Sequence, residues 1–223
     1  MKNLLILFFF TSLSALADYT PTPLYQMILQ ADKIVYGEII SLDSTSYQFK
    51  TEGETIEDRE IITVSRFEDW ACAQRWSDYA VGQRLLLFLI KHHGKYIAMS
   101  AGNEGELPLL GDSVYLDSRS LHRLPPRWPE AIGPDKRKKE GILLTKLYAL
   151  PDGDYYGYRV SLDEFIQTIN TLKQCVKVTE TEGWRISAIS FACSKDELTE
   201  LCAHDEVLES LVIQLERRFL NDE

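Results

Sequence analysis

Val81-Gly82-Gln83-Arg84-Leu85-Leu86-Leu87-Phe88-Leu89-Ile90 is the stretch on which the fold turns. Val81-Gly82-Gln83 closes the preceding segment, and Leu85 to Ile90 is the most apolar run outside the N-terminal residues. It has strand length and falls far short of the roughly 20 residues that cross a bilayer. Successive strand residues point to opposite faces, so a run that is apolar at every position is covered on both sides. Such a strand lines a barrel and carries another element on its outside.

Upstream, Leu24, Met27 and Ile28 follow Pro23 at helical spacing and predict a short opening helix. Lys33 to Leu42 is rich in β-formers, with Gly37 inside it where a strand bends sharply or lets another backbone approach. A second strand covers Thr45 to Glu52 and a third Arg59 to Phe67. Glu68 to Tyr79 then places Trp70, Cys72, Ala73 and Trp76 at helix-like spacings. Arg84 to Lys91 and Lys95 to Ser100 follow as a hairpin turning at His92-His93-Gly94. Three strands, a helix and a hairpin is the order of an OB-type Greek-key barrel.

Ala31-Asp32-Lys33-Ile34-Val35-Tyr36-Gly37-Glu38-Ile39, with the meander and Val81 to Phe88, resembles the netrin/tissue-inhibitor-of-metalloproteinase-like OB domain of secreted proteins. The likeness covers about residues 24 to 116 and is nearest to exported bacterial proteins carrying such a domain. In the animal inhibitors a Cys-x-Cys at the mature N-terminus supplies the metal-chelating wedge; here the corresponding residues are Asp18-Tyr19-Thr20. The inhibitory activity is therefore not carried over. The resemblance implies a binding barrel rather than a catalytic one.

Lys2, the apolar stretch Leu4 to Leu16 and the small-x-small pattern Ala15-Leu16-Ala17 read as a secretory signal peptide over residues 1–17. The expected domains are the signal, an OB-like barrel over 18–116, a linker over 117–140, and a hairpin with amphipathic helices over 141–223. The linker holds Pro125, Pro126, Pro129 and Pro134 and the basic run Lys136-Arg137-Lys138-Lys139, which reads as a solvated loop.

Beyond it, Ile142 to Leu150 and Tyr155 to Val160 flank Pro151-Asp152-Gly153-Asp154, a hairpin signal. Asp152, Asp154, Gly157 and Asp163 can also be aligned with a calcium loop, but Tyr156 stands at position five and no Glu at position twelve. Ser161 with Glu164, and Ser194 with Glu197, form capping boxes. Apolar stripes follow through Leu162, Phe165, Ile166, Ile169 and Leu172, through Leu198, Leu201 and Cys202, and from about Asp205 through Leu208, Leu211, Val212, Leu215 and Phe219. The fold class is thus α+β: a five-stranded OB-like β-barrel with an inserted helix, then a β-hairpin and a helical C-terminal cap.

Of the 223 residues 45% are apolar and 11% aromatic, which is globular composition. The 24 Lys and Arg against 34 Asp and Glu give a net charge of −10, which argues against general affinity for nucleic acid or an anionic membrane. No membrane span is expected after signal removal. Export makes Cys72, Cys175, Cys193 and Cys202 disulfide candidates, and four cysteines allow three complete pairings among which spacing does not choose. No Cys-x-x-Cys pair exists, so no metal and no cofactor is expected.

The sequence has no Gly-x-Ser-x-Gly elbow, Walker A loop or His-Glu-x-x-His helix. His92 and His93 read as exposed turn residues, His122 lies in the Pro-rich approach, and His204 reads as a local cap between helices. Two surfaces stand as ligand-binding candidates. One is Gly102 to Glu106, through Asn103, Glu104 and Glu106, where acidic groups meet a cation or basic partner or simply form a polar turn. The other is the Trp70 and Trp76 cluster with Tyr79, which binds sugar or protein or plugs the barrel. The expected function is a secreted or periplasmic, non-catalytic module with an extracytoplasmic protein partner. The alternatives are a small exported hydrolase, in which Cys72, His92 or His93 meets a carboxylate in three dimensions, and a structural envelope component.

Overall fold

A computed structural model describes residues 21–54, 60–70, 73–100, 104–117, 120–121, 147–149 and 156–220. Residues 1–17, which the sequence reads as a signal, the basic run Lys136 to Lys139 and His122 lie outside the described residues.

The barrel begins with α1 (Leu24–Gln30) and β1 (Lys33–Leu42), whose bounds match the β-rich stretch read from the sequence. Its Gly37 is required: a Cβ there would sit 2.1 Å from the Lys50 carbonyl oxygen, and the pairing register shifts between Tyr36 and Gly37. The missing side chain lets β1 bend where the neighbouring backbone closes in. β2 (Ser46–Glu54), β3 (Ile61–Ser65), β4 (Arg84–His92) and β5 (Lys95–Ala98) follow.

The strands order as β1-β2-β3-β5-β4, and β4 returns to pair with β1, so five strands close on themselves. β3 and β5 run parallel, and the other neighbours run antiparallel. This is an OB-like mixed barrel within an α+β chain.

β4 is the hinge between two cores. Leu85, Leu87 and Leu89 point into the barrel with Val35, Ile39, Tyr47, Phe49, Ile62 and Val64. Leu86 and Phe88 point outward into a second core. That explains a strand with no polar position across five residues: all five are buried, each removing an amount worth about 1.5–3 kcal/mol from water.

The outer core is built on an extension of the same sheet. β6 (Glu106–Leu110) pairs with the first half of β4, β7 (Ser113–Asp117) with β6, β9 (Tyr156–Ser161) with β7, and β8 (Leu147–Ala149) with β9. The antiparallel β8–β9 pair is the expected hairpin, with its Asp-Gly turn outside the described residues. Gly157 lies within β9, paired with both flanking strands, which removes it from the aligned calcium loop.

Over this sheet lies α2 (Leu162–Cys175); α4 (Glu206–Phe219) packs on α2 and α1, and α3 (Lys195–Cys202) packs on α4. Phe165, Ile169 and Leu172 of α2 and Leu208, Leu211 and Leu215 of α4 form the buried stripes. α1 closes the same core with Leu24, Met27 and Ile28.

Several local features differ from those the sequence predicts. No helix forms among the described residues of Glu68 to Tyr79. Trp70 and Ala73 instead exchange backbone hydrogen bonds of 2.9 and 3.0 Å as an isolated bridge, and the Asp69 carboxylate accepts from the Arg75 N–H at 2.8 Å. Local side-chain bonding wins there, and it turns Arg75 inward.

The C-terminal third is not only helical: β10 (Val176–Glu182) and β11 (Arg185–Phe191) make a separate two-stranded ribbon between α2 and α3. Ser161 starts α2 without a side-chain cap, because it is the last residue of β9 and the Leu162 N–H bonds the Asp112 carbonyl at 2.9 Å. Finally, Asp205 rather than His204 caps α4, accepting from the Leu208 N–H at 2.8 Å. The Ser194–Glu197 box is formed in both directions.

Candidate functional site

The sequence puts Glu106 in an acidic turn after the last hairpin strand; instead it lies fully buried as the first residue of β6. Arg75 Nε donates to its Oε2 at 2.6 Å, while the Tyr47 and Tyr79 hydroxyls donate to Oε1 at 2.9 and 3.0 Å. The Trp76 indole N–H donates to its backbone carbonyl at 3.0 Å. The remaining guanidinium nitrogens of Arg75 donate to the Ser77 carbonyl at 2.7 Å and to Gln83 Oε1 at 2.8 Å. The same guanidinium lies 3.9 Å from the Tyr79 ring centre and 4.7 Å from that of Trp76.

Burial first, then the Glu106 charge, pushes both tyrosine hydroxyls well above their ordinary range. They therefore stay protonated and keep donating. This cluster ties the 66–83 segment to the barrel.

Glu104 is buried as well, hydrogen-bonded to the Ser100 hydroxyl, which also bonds Thr22 Oγ1 at 2.8 Å. Asn103 lies outside the described residues. Trp76 is half-buried in the Glu106 cluster, whereas Trp70 is exposed. The two tryptophans therefore stand in different environments.

Cys175 and Cys193 form a disulfide that joins the end of α2 to the residues after β11. Cys202 is a free thiol, and Cys72 lies outside the described residues. The His92 and His93 rings meet edge to face at 4.1 Å on the exposed turn. Among the described residues no group of three or more His, Cys, Asp or Glu side chains could hold a metal ion. No described helix is long and apolar enough to cross a membrane.

Two open concave surfaces among the described residues lie on the helical cap, on either side of α3. Between α2 and the α3–α4 corner runs a groove of about 1150 Å³ with Glu164, Glu200 and Glu206 on its walls and Phe165 and Leu208 in its floor. Its two sides are pinned together where the Thr168 hydroxyl donates to Asp205 Oδ2 at 2.6 Å.

Between α3 and α4 lies a second groove of about 580 Å³, lined by Phe191, Leu198, Cys202, Val212, Ile213 and Leu220 with Lys195, Glu209 and Glu216. Burial, then the carboxylates of Glu209, Asp205 and Glu216, lifts the Cys202 thiol to about 11. Neither groove was read from the sequence. The available signal was the width of the α4 stripe, which carries Ile213 and Leu220 beyond the residues its core face uses.

No protein-family model, no curated protein and no solved structure matches the chain.

Proposed function

We propose that the chain is an exported, non-catalytic binding module that recognises an extracytoplasmic protein ligand. The observation that carries this reading is a contrast between polar groups inside and outside the molecule. The charges of Arg75 and Glu106 are engaged with each other and with Tyr47, Tyr79 and Gln83, where they hold a segment in place. The grooves beside α3 combine apolar floors with open carboxylates, a surface suited to taking up a ligand.

Export is supported by Lys2, the run to Leu16 and Ala15-Leu16-Ala17, and by the Cys175–Cys193 bond, since disulfides persist in oxidising compartments. Kinship with the netrin/tissue-inhibitor-of-metalloproteinase-like domains rests on the motifs around Gly37 and Gly82 and on the barrel's strand order.

Expression of the full chain in an export-competent host tests the reading. N-terminal sequencing is expected to find Asp18 first. A panel of ester, peptide, glycoside and phosphoester substrates is expected to show no turnover. Turnover that disappears on replacing Cys72, His92 or His93 would overturn the reading in favour of the hydrolase.

A further inference from the structure

The groove between α3 and α4 is built from two helical ridges. On α3 the lining residues Lys195, Leu198, Thr199 and Cys202 recur at spacings of three, one and three. On α4 and its C-cap, Glu209, Ile213, Glu216 and Leu220 recur at four, three and four, which places them along one line of the helix surface. That line alternates carboxylate, apolar, carboxylate, apolar over about 16 Å. It is separate from the core face of the helix, where Leu208, Leu211 and Leu215 are already buried.

A trough between two helical ridges has the shape that receives a third helix by ridge-into-groove packing. Leu220, half exposed at one end, is the apolar contact left without cover.

We infer that this groove seats one amphipathic helix of a partner protein, with apolar residues against Ile213 and Leu220 and basic residues seven apart against Glu209 and Glu216. The inference rests on the reading of the chain as a binding module and names the partner class for it. Charge complementarity selects the occupant. Two carboxylates on the α4 wall face the single ammonium of Lys195, on a chain of net charge −10.

The carboxylates act on the groove interior, since Glu209 and Glu216 both raise the Cys202 thiol. A second copy of the chain packed on the same ridge would bring Glu209 and Glu216 against themselves. Like charges opposed across an interface disfavour that arrangement. An anionic membrane surface is repelled for the same reason. Lys195, at the start of α3, sets the polarity by accepting an acidic residue at one edge of the incoming helix.

The test uses the exported full chain and a fluorescein-labelled synthetic helix of leucines and alanines, with lysines seven residues apart on the leucine face. A control helix carries glutamates in their place. Binding is followed by anisotropy, and occupancy by the rate at which a Cys72→Ser background loses its Cys202 thiol to an aromatic disulfide reagent. The lysine helix is expected to bind and slow Cys202 modification, while the glutamate helix does neither.

In Glu209→Lys/Glu216→Lys, checked for folding by circular dichroism, the lysine helix is expected to bind at least about tenfold more weakly and the glutamate helix to bind in its place. Leu220→Asp, at a position already half exposed, is expected to weaken the lysine helix in the parent chain and leave the circular dichroism unchanged. Failure of the lysine helix to bind, equal binding to the charge-reversed variant, or binding that leaves Cys202 modification unchanged would each overturn the inference. Sedimentation as a dimer that dissociates in Leu220→Asp identifies a second copy as the occupant, which overturns this inference and leaves the binding-module reading standing. Turnover in the substrate panel removes both.

Discussion

Arg75 Nε and Glu106 Oε2 meet at 2.6 Å with both side chains almost wholly removed from solvent. One partner comes from the irregular segment between β3 and β4, the other from the strand that leaves the barrel. The pair therefore fixes a segment with no regular secondary structure of its own among the described residues. Removing one member leaves a desolvated charge without its counterion, which costs about 3–5 kcal/mol. Glu106→Leu and Arg75→Met are each expected to lower stability by that amount in urea denaturation. The double replacement Arg75→Met/Glu106→Leu is expected to lose less than the two singles together, because neither charge is then stranded. Strict additivity would show that the two residues do not act as a pair.

This pair also marks the limit of what the sequence discloses. The barrel was legible because its strands carry local signals: β-branched runs, the turn at His93-Gly94, a glycine where β1 must bend, and a strand apolar on both faces. The segment from Glu68 to Tyr79 carries a helical spacing of aromatics, yet Trp76 donates to the backbone carbonyl of Glu106, 30 residues on, Tyr79 donates to the same residue's carboxylate, and Trp70 stays exposed. No local pattern announces a contact of that range.

The ribbon of β10 and β11 was missed because Thr179 to Gly183 reads as polar, and both strands keep most of their residues at the surface. Glu106 reads as a turn residue because two glutamates flank Gly105. Leu107 and Leu109 ahead of Gly111-Asp112 held the hairpin signal that would have put it on a strand. The candidate site was less legible than the fold, since a groove is a relation between elements and needs their packing.

The disulfide clamps that overlooked ribbon. Cys175 ends α2, Cys193 follows β11, and the Ala192 N–H bonds the Cys175 carbonyl at 2.7 Å, so the covalent bond closes the ribbon at its base. Bridging a separation of 18 residues restricts the unfolded chain by about 3 kcal/mol in the loop-entropy view. Cys175→Ala/Cys193→Ala is expected to lose about 2–4 kcal/mol. Amide exchange is expected to rise first in residues 176–191. Unchanged protection there, with the same total loss, would assign the bond a role elsewhere in the cap.

Asp43 sets the turn between β1 and β2. Its carboxylate accepts from the Thr45 N–H at 2.7 Å, from the Ser46 N–H at 2.8 Å and from the Ser46 hydroxyl at 2.7 Å. These bonds, the Thr45 N–H foremost, hold the carboxyl at about 2, below its ordinary range. The folded state thus binds the proton less readily than the unfolded chain. Its contribution to stability is complete above the unfolded carboxyl value near ~4 and is lost as pH falls toward about 2. Carbon-detected titration of Asp43 is expected to show a midpoint near 2, and Asp43→Ala to flatten the stability profile only in that acid window. A midpoint near ~4 would mean that the turn does not form in solution.

Cys202 offers the sharpest check on the electrostatics of the cap. Half-buried in the α3–α4 groove and facing Glu209, Asp205 and Glu216, its thiol is lifted to about 11. The thiolate is the reacting species, and at pH 8 a thiol near 11 is ionised on the order of 100-fold less than an ordinary cysteine. In a Cys72→Ser background, modification of Cys202 is expected to be slower than that of a free cysteine by about tenfold or more, the higher nucleophilicity of a high-pKa thiolate offsetting part of the lost ionisation, and to accelerate with every unit of pH up to about 11. Neutralising the wall as Glu209→Gln/Glu216→Gln removes two of the three charges that oppose ionisation, so the rise is expected to shift to lower pH while burial keeps it above the ordinary thiol range. A rise that stays in place in Glu209→Gln/Glu216→Gln would mean that the carboxylates do not reach the groove floor, and the charge pattern proposed to select a basic helix would lose its physical basis.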